Sequence, residues 1–300
     1  MISRWILIMI RPVVTAACTL ALWLPLPAAD LFADPNLEAA VRSHVHAKRD
    51  GKEPLTEDDV KNLSTLNCNG KGIKSLAGLE KLKSLALLEA ANNQISDVSP
   101  LKDLALLQSI DLTGNQVTNL QPLEKLERLQ YLNLTGNQVA DLSPLAKTTS
   151  MNSLYLSGNK VSNLAPLNGL NRMWSLYLDG NQVSDLKALA SLKSLSSLDL
   201  RGNRVADIGP LETIPSLWHL FLDNNQIKDL TPLVNLAKKA GGTPRFVTLA
   251  GNPLTPAAKT VQVAELKKAY FNVTLEAAKP AAAKPAAAKP TGAKKAAAKQ

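Results

Sequence analysis

The sequence of 300 residues predicts an α/β solenoid, in which short strands and turns alternate in stacked coils. The first observation is a repeat of 22 residues that follows the pattern LxxLxLxxNxVxxLxPLxxL. The second is a ninth, shorter copy over residues 246–254, which follows an inserted stretch of mostly small residues. A constant period indicates coils that each bury an apolar face on the next coil. The eight full copies start at Leu63, Leu85, Leu107, Leu129, Met151, Met173, Leu195 and Leu217.

Residues 1–29 have the layout of a secretory signal peptide, with two arginines, an apolar run and a stretch of small residues. Cleavage is expected at Ala28, Ala29 or Ala33. The alternative is an uncleaved membrane anchor, which the prolines of this segment disfavour because a spanning helix needs about 18 uninterrupted apolar residues. Lipidation at Cys18 is a second alternative, although the apolar run continues well past this residue. We therefore expect an exported protein, either periplasmic, on the cell surface or secreted.

Residues 30–62 predict a helical N-terminal cap. Asp34, followed by a proline, is typical of a helix start, and the next turns place Leu37 and Val41 on one face. A second helix is predicted after Thr56, because the acidic residues that follow it complete a capping box.

Three positions of the repeat have a clear structural interpretation. Positions 4 and 6 carry leucine and should point inward, because alternate side chains of a strand point to opposite faces. Cys68 occupies position 6 of the first copy, where we expect a small buried hydrophobic side chain. Position 9 is asparagine, whose amide can donate to and accept from backbone groups inside the coil. This predicts a buried structural ladder of Asn93, Asn115, Asn137, Asn159, Asn181, Asn203, Asn225 and Asn252.

The outer side of the solenoid is predicted to consist of short turns and 3₁₀ segments. Position 16 is proline in six copies, and proline fixes the backbone φ angle and excludes regular strand. Position 13 is aspartate or asparagine and should cap these turns. The capping residues are Asp97, Asn119, Asp141, Asn163, Asp185, Asp207 and Asp229.

These copies, with turns such as DLSPL at residues 141–145, resemble the leucine-rich repeats of the internalin family of bacterial proteins. The resemblance covers about residues 31–255 and includes the helical cap before the first copy. It implies a curved, right-handed solenoid with a parallel sheet on its concave side, used for binding. Internalins commonly continue into an immunoglobulin-like domain and wall-attachment sequences, whereas about 20 residues separate the last copy from a lysine-rich segment here. Attachment to a host receptor is therefore not implied.

The aromatic residues predict a partner-binding face. Positions 2, 3, 5 and 7 should face out from the concave sheet. All seven aromatic residues between 63 and 255 occupy three of these positions, and none lies on the outer turns. Large rings with polar edges on a rigid sheet are typical of protein-binding hot spots. The candidate residues are Tyr131, Tyr155, Trp174, Tyr177, Asp199, Arg201, Trp218, His219, Phe221 and Phe246.

The C-terminal part is predicted to close the repeats with a helix and a strand over residues 256–276. Residues 277–300 contain lysine, proline and alanine but no acidic or aromatic residue, a composition that predicts disorder. Six lysines there and two arginines in residues 1–29 account for most of the net charge of +9, so the repeats are almost neutral. We interpret this tail as a spacer, or as a contact to an anionic envelope polymer or lipid surface. Nucleic acid is not expected as its partner.

The sequence contains no recognisable catalytic or metal-binding motif. His44 and His46 are two residues apart and would chelate a metal poorly, and His219 has no nucleophile at a recognisable spacing. We therefore expect no enzymatic activity, no cofactor and no metal. We expect the protein to be a monomer. Its expected partner is another protein, and the alternative ligand of the concave face is a glycan. The competing hypothesis is a structural envelope protein whose tail makes the essential contact.

Overall fold

The computed structural model describes residues 30–240 and 246–276. The predicted signal peptide and the lysine-rich tail lie outside these ranges. Every helix in the described ranges is too short or too polar to span a lipid bilayer.

Ten short parallel strands form one open sheet, in which each strand pairs with its neighbours in sequence order. Strands of adjacent full copies pair with a register shift of 22 residues, so that Leu132 lies beside Ile110 and Leu154. The same repeat position therefore forms a column that crosses the sheet. The strands are β1 Thr65–Asn67, β2 Leu87–Glu89, β3 Ser109–Asp111, β4 Tyr131–Asn133, β5 Ser153–Tyr155, β6 Ser175–Tyr177, β7 Ser197–Asp199, β8 His219–Phe221, β9 Phe246–Thr248 and β10 Asn272–Thr274.

The core runs without interruption from the first coil to the last. The leucines at positions 4 and 6, such as Leu132 and Leu134, are fully buried. Cys68 is also buried, and burial raises the pKa of its thiol to about 12, so it packs as a hydrophobic side chain and stays protonated at neutral pH. The prediction of an α/β leucine-rich repeat solenoid is confirmed.

Buried asparagines connect each coil to the one before it. In the coil of β5, Asn159 Oδ1 accepts a hydrogen bond of 2.9 Å from the Val139 N–H. Its Nδ2 donates to the carbonyls of Leu134, at 2.8 Å, and Leu156, at 3.0 Å. The other seven asparagines of the ladder bond in the same way. The amides thus satisfy backbone groups that a bend inside the coil would otherwise leave without partners.

The convex side consists mainly of short 3₁₀ helices. All but the first are capped by the aspartate or asparagine at position 13; for example, Asn163 Oδ1 accepts a 2.9 Å hydrogen bond from the Ala165 N–H. These helices are Leu79–Lys81, Ser99–Leu101, Gln121–Leu123, Ser143–Leu145, Ala165–Leu167, Lys187–Ser191 and Gly209–Thr213.

One coil departs from the pattern of short convex turns. It forms an α-helix over Thr231–Ala240, with Pro232 in its first turn, and this helix buries Leu233, Leu236 and Ala237 against the core. The apolar residues recur at helical spacing here, and the inserted residues that follow provide the extra length that a helix needs.

Both ends of the sheet are covered by helices. The helices Pro35–Arg42 and Glu57–Val60 precede β1, with a 3₁₀ turn at His46–Lys48 between them. Before β10, a π-helical segment at Ala258–Gln262 continues into the α-helix Val263–Lys268.

Asp34 joins the N-terminal helix to the first coil. One carboxylate oxygen accepts from the N–H groups of Asn36 and Leu37, and the other accepts from those of Lys74 and Ser75. Burial alone would raise the pKa of Asp34, but these four hydrogen bonds together lower it below the usual value.

Candidate partner-binding face

The concave face comprises the side chains at positions 2, 3, 5 and 7 of the coils. Around β6, Met173, Leu176 and Leu178 are fully buried, whereas Tyr177 is partly exposed and Trp174 is 59% exposed. The two rings therefore lie on the solvent side of the sheet, as the side-chain alternation predicted.

Three tyrosines form a continuous stack, which we call the tyrosine stack: Tyr131, Tyr155 and Tyr177. The ring centroids of Tyr155 and Tyr177 are 4.8 Å apart with nearly parallel planes, and those of Tyr131 and Tyr155 are 5.4 Å apart and tilted. Burial, and then the neighbouring tyrosines, raise the pKa of Tyr155 to about 12. Its hydroxyl is therefore a neutral hydrogen-bond group at neutral pH.

A second group of rings, the phenylalanine cluster, comprises His219, Phe221 and Phe246. The His219 ring is nearly parallel to that of Phe246 at 5.3 Å and to that of Phe221 at 6.4 Å. The Arg201 guanidinium lies 5.4 Å from the centroid of the Phe221 ring. Aromatic and cationic groups thus form one continuous surface on β7, β8 and β9.

Two tryptophans border the concave face at position 2. Trp174 donates from Nε1 to Ser153 Oγ at 3.2 Å and lines a shallow depression with Asn152 and Ser194. Trp218 lies two coils further along and is 38% exposed. These rings form a rim along one edge of the sheet.

The prediction that Asp199 contacts a partner is wrong, because its side chain is fully buried. Tyr177 and Phe221 occupy the same position on the neighbouring strands and enclose it from both sides. Arg201 closes the remaining side, with 2.8 Å between its Nε and Asp199 Oδ1. Burial raises the pKa of Asp199, and the hydrogen bonds from Arg201 partly oppose this. Arg201 itself is exposed, so it presents the polar group at this point of the face.

The sequence reasoning missed the serines at position 3, which orient the rings. Ser153 accepts from Trp174, and Ser197 Oγ is 3.0 Å from the Tyr177 hydroxyl. Small residues in three successive copies, beside tyrosine and tryptophan, were the available signal. In the described ranges, no group of three or more His, Cys, Asp and Glu side chains is arranged to hold a metal ion.

Comparison with known proteins agrees with this architecture. The family model described as Leucine Rich repeats (2 copies) matches residues 85–125, 106–147, 175–213 and 193–235. A crystal structure of internalin InlF from Listeria monocytogenes has a TM-score of 0.73 at 29% identity, covering 81% of this chain and 68% of that one.

Two further solved structures extend the comparison. Internalin C2 of Listeria monocytogenes is 35% identical with a TM-score of 0.67, and the match covers 73% of this chain and 94% of that one. A leucine-rich repeat protein of Leptospira interrogans, 22% identical with a TM-score of 0.63, covers 73% of this chain and 62% of that one and shares the fold. The chain therefore belongs to the internalin-type leucine-rich repeat proteins.

Proposed function

We propose that this protein is an exported, non-enzymatic recognition module that binds another protein through its concave face. The observation that carries the proposal is the placement of all seven aromatic residues of the repeats on this face, in two ring groups with a tryptophan rim. Aromatic side chains and arginine supply most of the binding energy at protein interfaces.

The shape of the face favours a macromolecule over a small molecule. Ten strands spaced about 4.8 Å apart make a surface about 43 Å long. The rings lie on three-residue strands whose coils are held by the asparagine ladder, so they lose little conformational freedom on binding. Such preorganisation lets a modest contact area bind tightly.

The sequence of residues 1–29 supports export. Exported repeats without a disulfide need another source of stability. The described residues contain one cysteine, Cys68, which is free and buried. The continuous leucine core, capped at both ends, stabilises the solenoid instead.

We expect the triple substitution Tyr155→Ala/Tyr177→Ala/Phe221→Ala to weaken binding of the protein partner at least about 100-fold, since each ring is expected to act as a hot spot. The measurement is affinity capture from extracts of the source organism, followed by titration of the captured protein.

A matched triple variant on the convex side, Gln121→Ala/Lys147→Ala/Lys187→Ala, should bind as the unchanged protein does. Trp174→Ala provides a second concave variant, because this largely exposed ring contributes little to folding. Capture of the same proteins, with the same affinity, by all four forms would show that the concave rings are not the recognition surface. If the concave variants lose binding to a glycan and not to a protein, the ligand is the alternative one, a glycan.

A further inference from the structure

The concave face carries negative charge that its own cation does not cancel. Among the described residues of this face, the cation is Arg201, which pairs with the buried Asp199. The carboxylates of Asp111, Asp179 and Asp223 accept hydrogen bonds from the hydroxyls of Thr113, Ser157 and Thr248. Hydroxyl groups are neutral, and Arg201, which also interacts electrostatically with Asp179 and Asp223, supplies one positive charge against these carboxylates and Asp199. A net negative charge therefore remains on the face to attract an incoming cation.

The segment after the last strand has complementary charge. Residues 277–300 contain six lysines and no acidic residue, and Lys-Pro pairs start at 279, 284 and 289. In the extended conformation that proline favours, five residues span about 15.5 Å. Three strand spacings of a sheet span about 14.4 Å. The Lys-Pro period therefore matches three strand spacings in length. Because this extended helix has three residues per turn, successive lysines leave it in different directions, and each reaches the sheet through its own flexible side chain.

The starting point of this segment fits the same register. Glu276 lies two residues beyond β10, at the end of the sheet. If the chain turns back across the strands, Lys279 lies about 9 Å from Glu276. This distance equals about two strand spacings, so Lys279 reaches β8 beside Asp223. Lys284 then reaches about β5, one strand from Asp179, and Lys289 reaches about β2, one strand from Asp111. A four-carbon lysine side chain can bridge an offset of one strand.

The prolines of the same pairs would fall on the rings. Pro285 comes next to the tyrosine stack on β4 to β6, and Pro280 comes beside Phe221 on β8. Extended proline-containing segments bind surfaces lined by aromatic side chains, because the bound conformation is largely preformed. The same spacing along the face thus brings lysines near the carboxylates and prolines near the rings.

We propose that residues 277–300 bind along the concave face of their own chain, with lysines beside Asp223, Asp179 and Asp111 and prolines on the rings. The tether gives the tail an effective concentration on the order of millimolar, which compensates for individually weak, salt-sensitive contacts. If the concave face binds a protein, as proposed above, that partner has to displace the tail. The docking itself needs no partner, so it can be tested separately.

The test is carbodiimide cross-linking, which joins a lysine amine to a carboxylate in contact with it through an amide bond. The purified protein is treated at low micromolar concentration and low salt, then digested and analysed by mass spectrometry. We expect tail lysines to be joined to Asp111, Asp179 or Asp223 at least fivefold more often than to the exposed convex carboxylates Asp103, Glu127 and Asp207. Salt at 0.5 M should abolish this preference.

An equal mixture of unlabelled and nitrogen-15-labelled protein shows whether the links form within one chain. We expect each cross-linked pair to carry a single isotope. Mixed pairs, or cross-links spread evenly over convex and concave carboxylates, would overturn the proposal. Failure of the capture experiment with the ring variants would refute protein binding but leave this result unaffected, so the two failures can be told apart.

Discussion

Replacing Asn159 by alanine is expected to lower the free energy of unfolding by about 4 kcal/mol, since each buried polar group left without a partner costs about 1–3 kcal/mol. Asn159 is 8% exposed and bonds to one N–H and three carbonyls of the backbone. The substitution removes all of these hydrogen bonds at once and leaves the Val139 N–H without its acceptor. Urea denaturation followed by circular dichroism measures the loss.

Two control variants separate the ladder from a general effect of asparagine. Asn163→Ala removes an exposed turn cap on the same coil and should cost about 1 kcal/mol. Asn159→Asp keeps the shape but places a carboxylate oxygen against three carbonyls, so it should be at least as destabilising as alanine. If Asn159→Ala costs no more than Asn163→Ala, the ladder does not hold the coils together.

Replacing Arg201 by methionine is expected to destabilise the fold by about 3 kcal/mol, because an unpaired buried charge is costly. Asp199 has no exposed surface, and Arg201 makes the ion pair with its carboxylate. The estimate lies at the lower end of the range for a broken buried pair, since the Arg201 side chain is 44% exposed.

The pH dependence of this loss has a definite sign. Burial already raises the pKa of Asp199 above its unfolded value, and removing Arg201 takes away the group that lowers it. A carboxyl group whose pKa is raised on folding binds its proton more tightly in the folded state. The loss should therefore be largest above the folded-state pKa and shrink as the pH falls through it. Urea denaturation at a series of pH values measures this.

The double variant Asp199→Asn/Arg201→Met should recover most of the stability, because it removes the buried charge. Arg204→Met, three residues further along and exposed, should change stability by less than about 0.5 kcal/mol. A loss in Arg201→Met that is independent of pH, or that Asp199→Asn does not relieve, would contradict this description of the pair.

The repeat made most of the fold predictable because each position recurs in a fixed environment. The asparagine, leucine and proline positions could be compared across nine copies within one chain, so the buried ladder and the outer turns followed from residue chemistry. The α-helix at Thr231–Ala240 differs from the sequence prediction, because Pro232 at position 16 predicts a short turn for this coil as for the others. Proline is compatible with the first turn of a helix, and the longer coil supplied the remaining residues.

The sequence predicts in which direction the side chains of the concave face point, but not how exposed each of them is to solvent. Alternation along β6 places Trp174 and Tyr177 toward solvent without any knowledge of neighbouring coils. The burial of Asp199 depends on three other side chains, Tyr177, Phe221 and Arg201, which meet only once the register is known. His44 makes a contact of the same kind, because its Nε2 accepts a 3.3 Å hydrogen bond from the Asn67 N–H of the first strand.

The most direct test of the concave face is site-specific photo-cross-linking in the cell. A photoreactive amino acid is placed at Ser196, at position 2 between Trp174 and Trp218, and in a second form at Lys187 on the convex side. We predict adducts with a discrete protein from Ser196 and none from Lys187. Adducts from Lys187 alone, or equal adducts from both positions, would contradict recognition through the concave face.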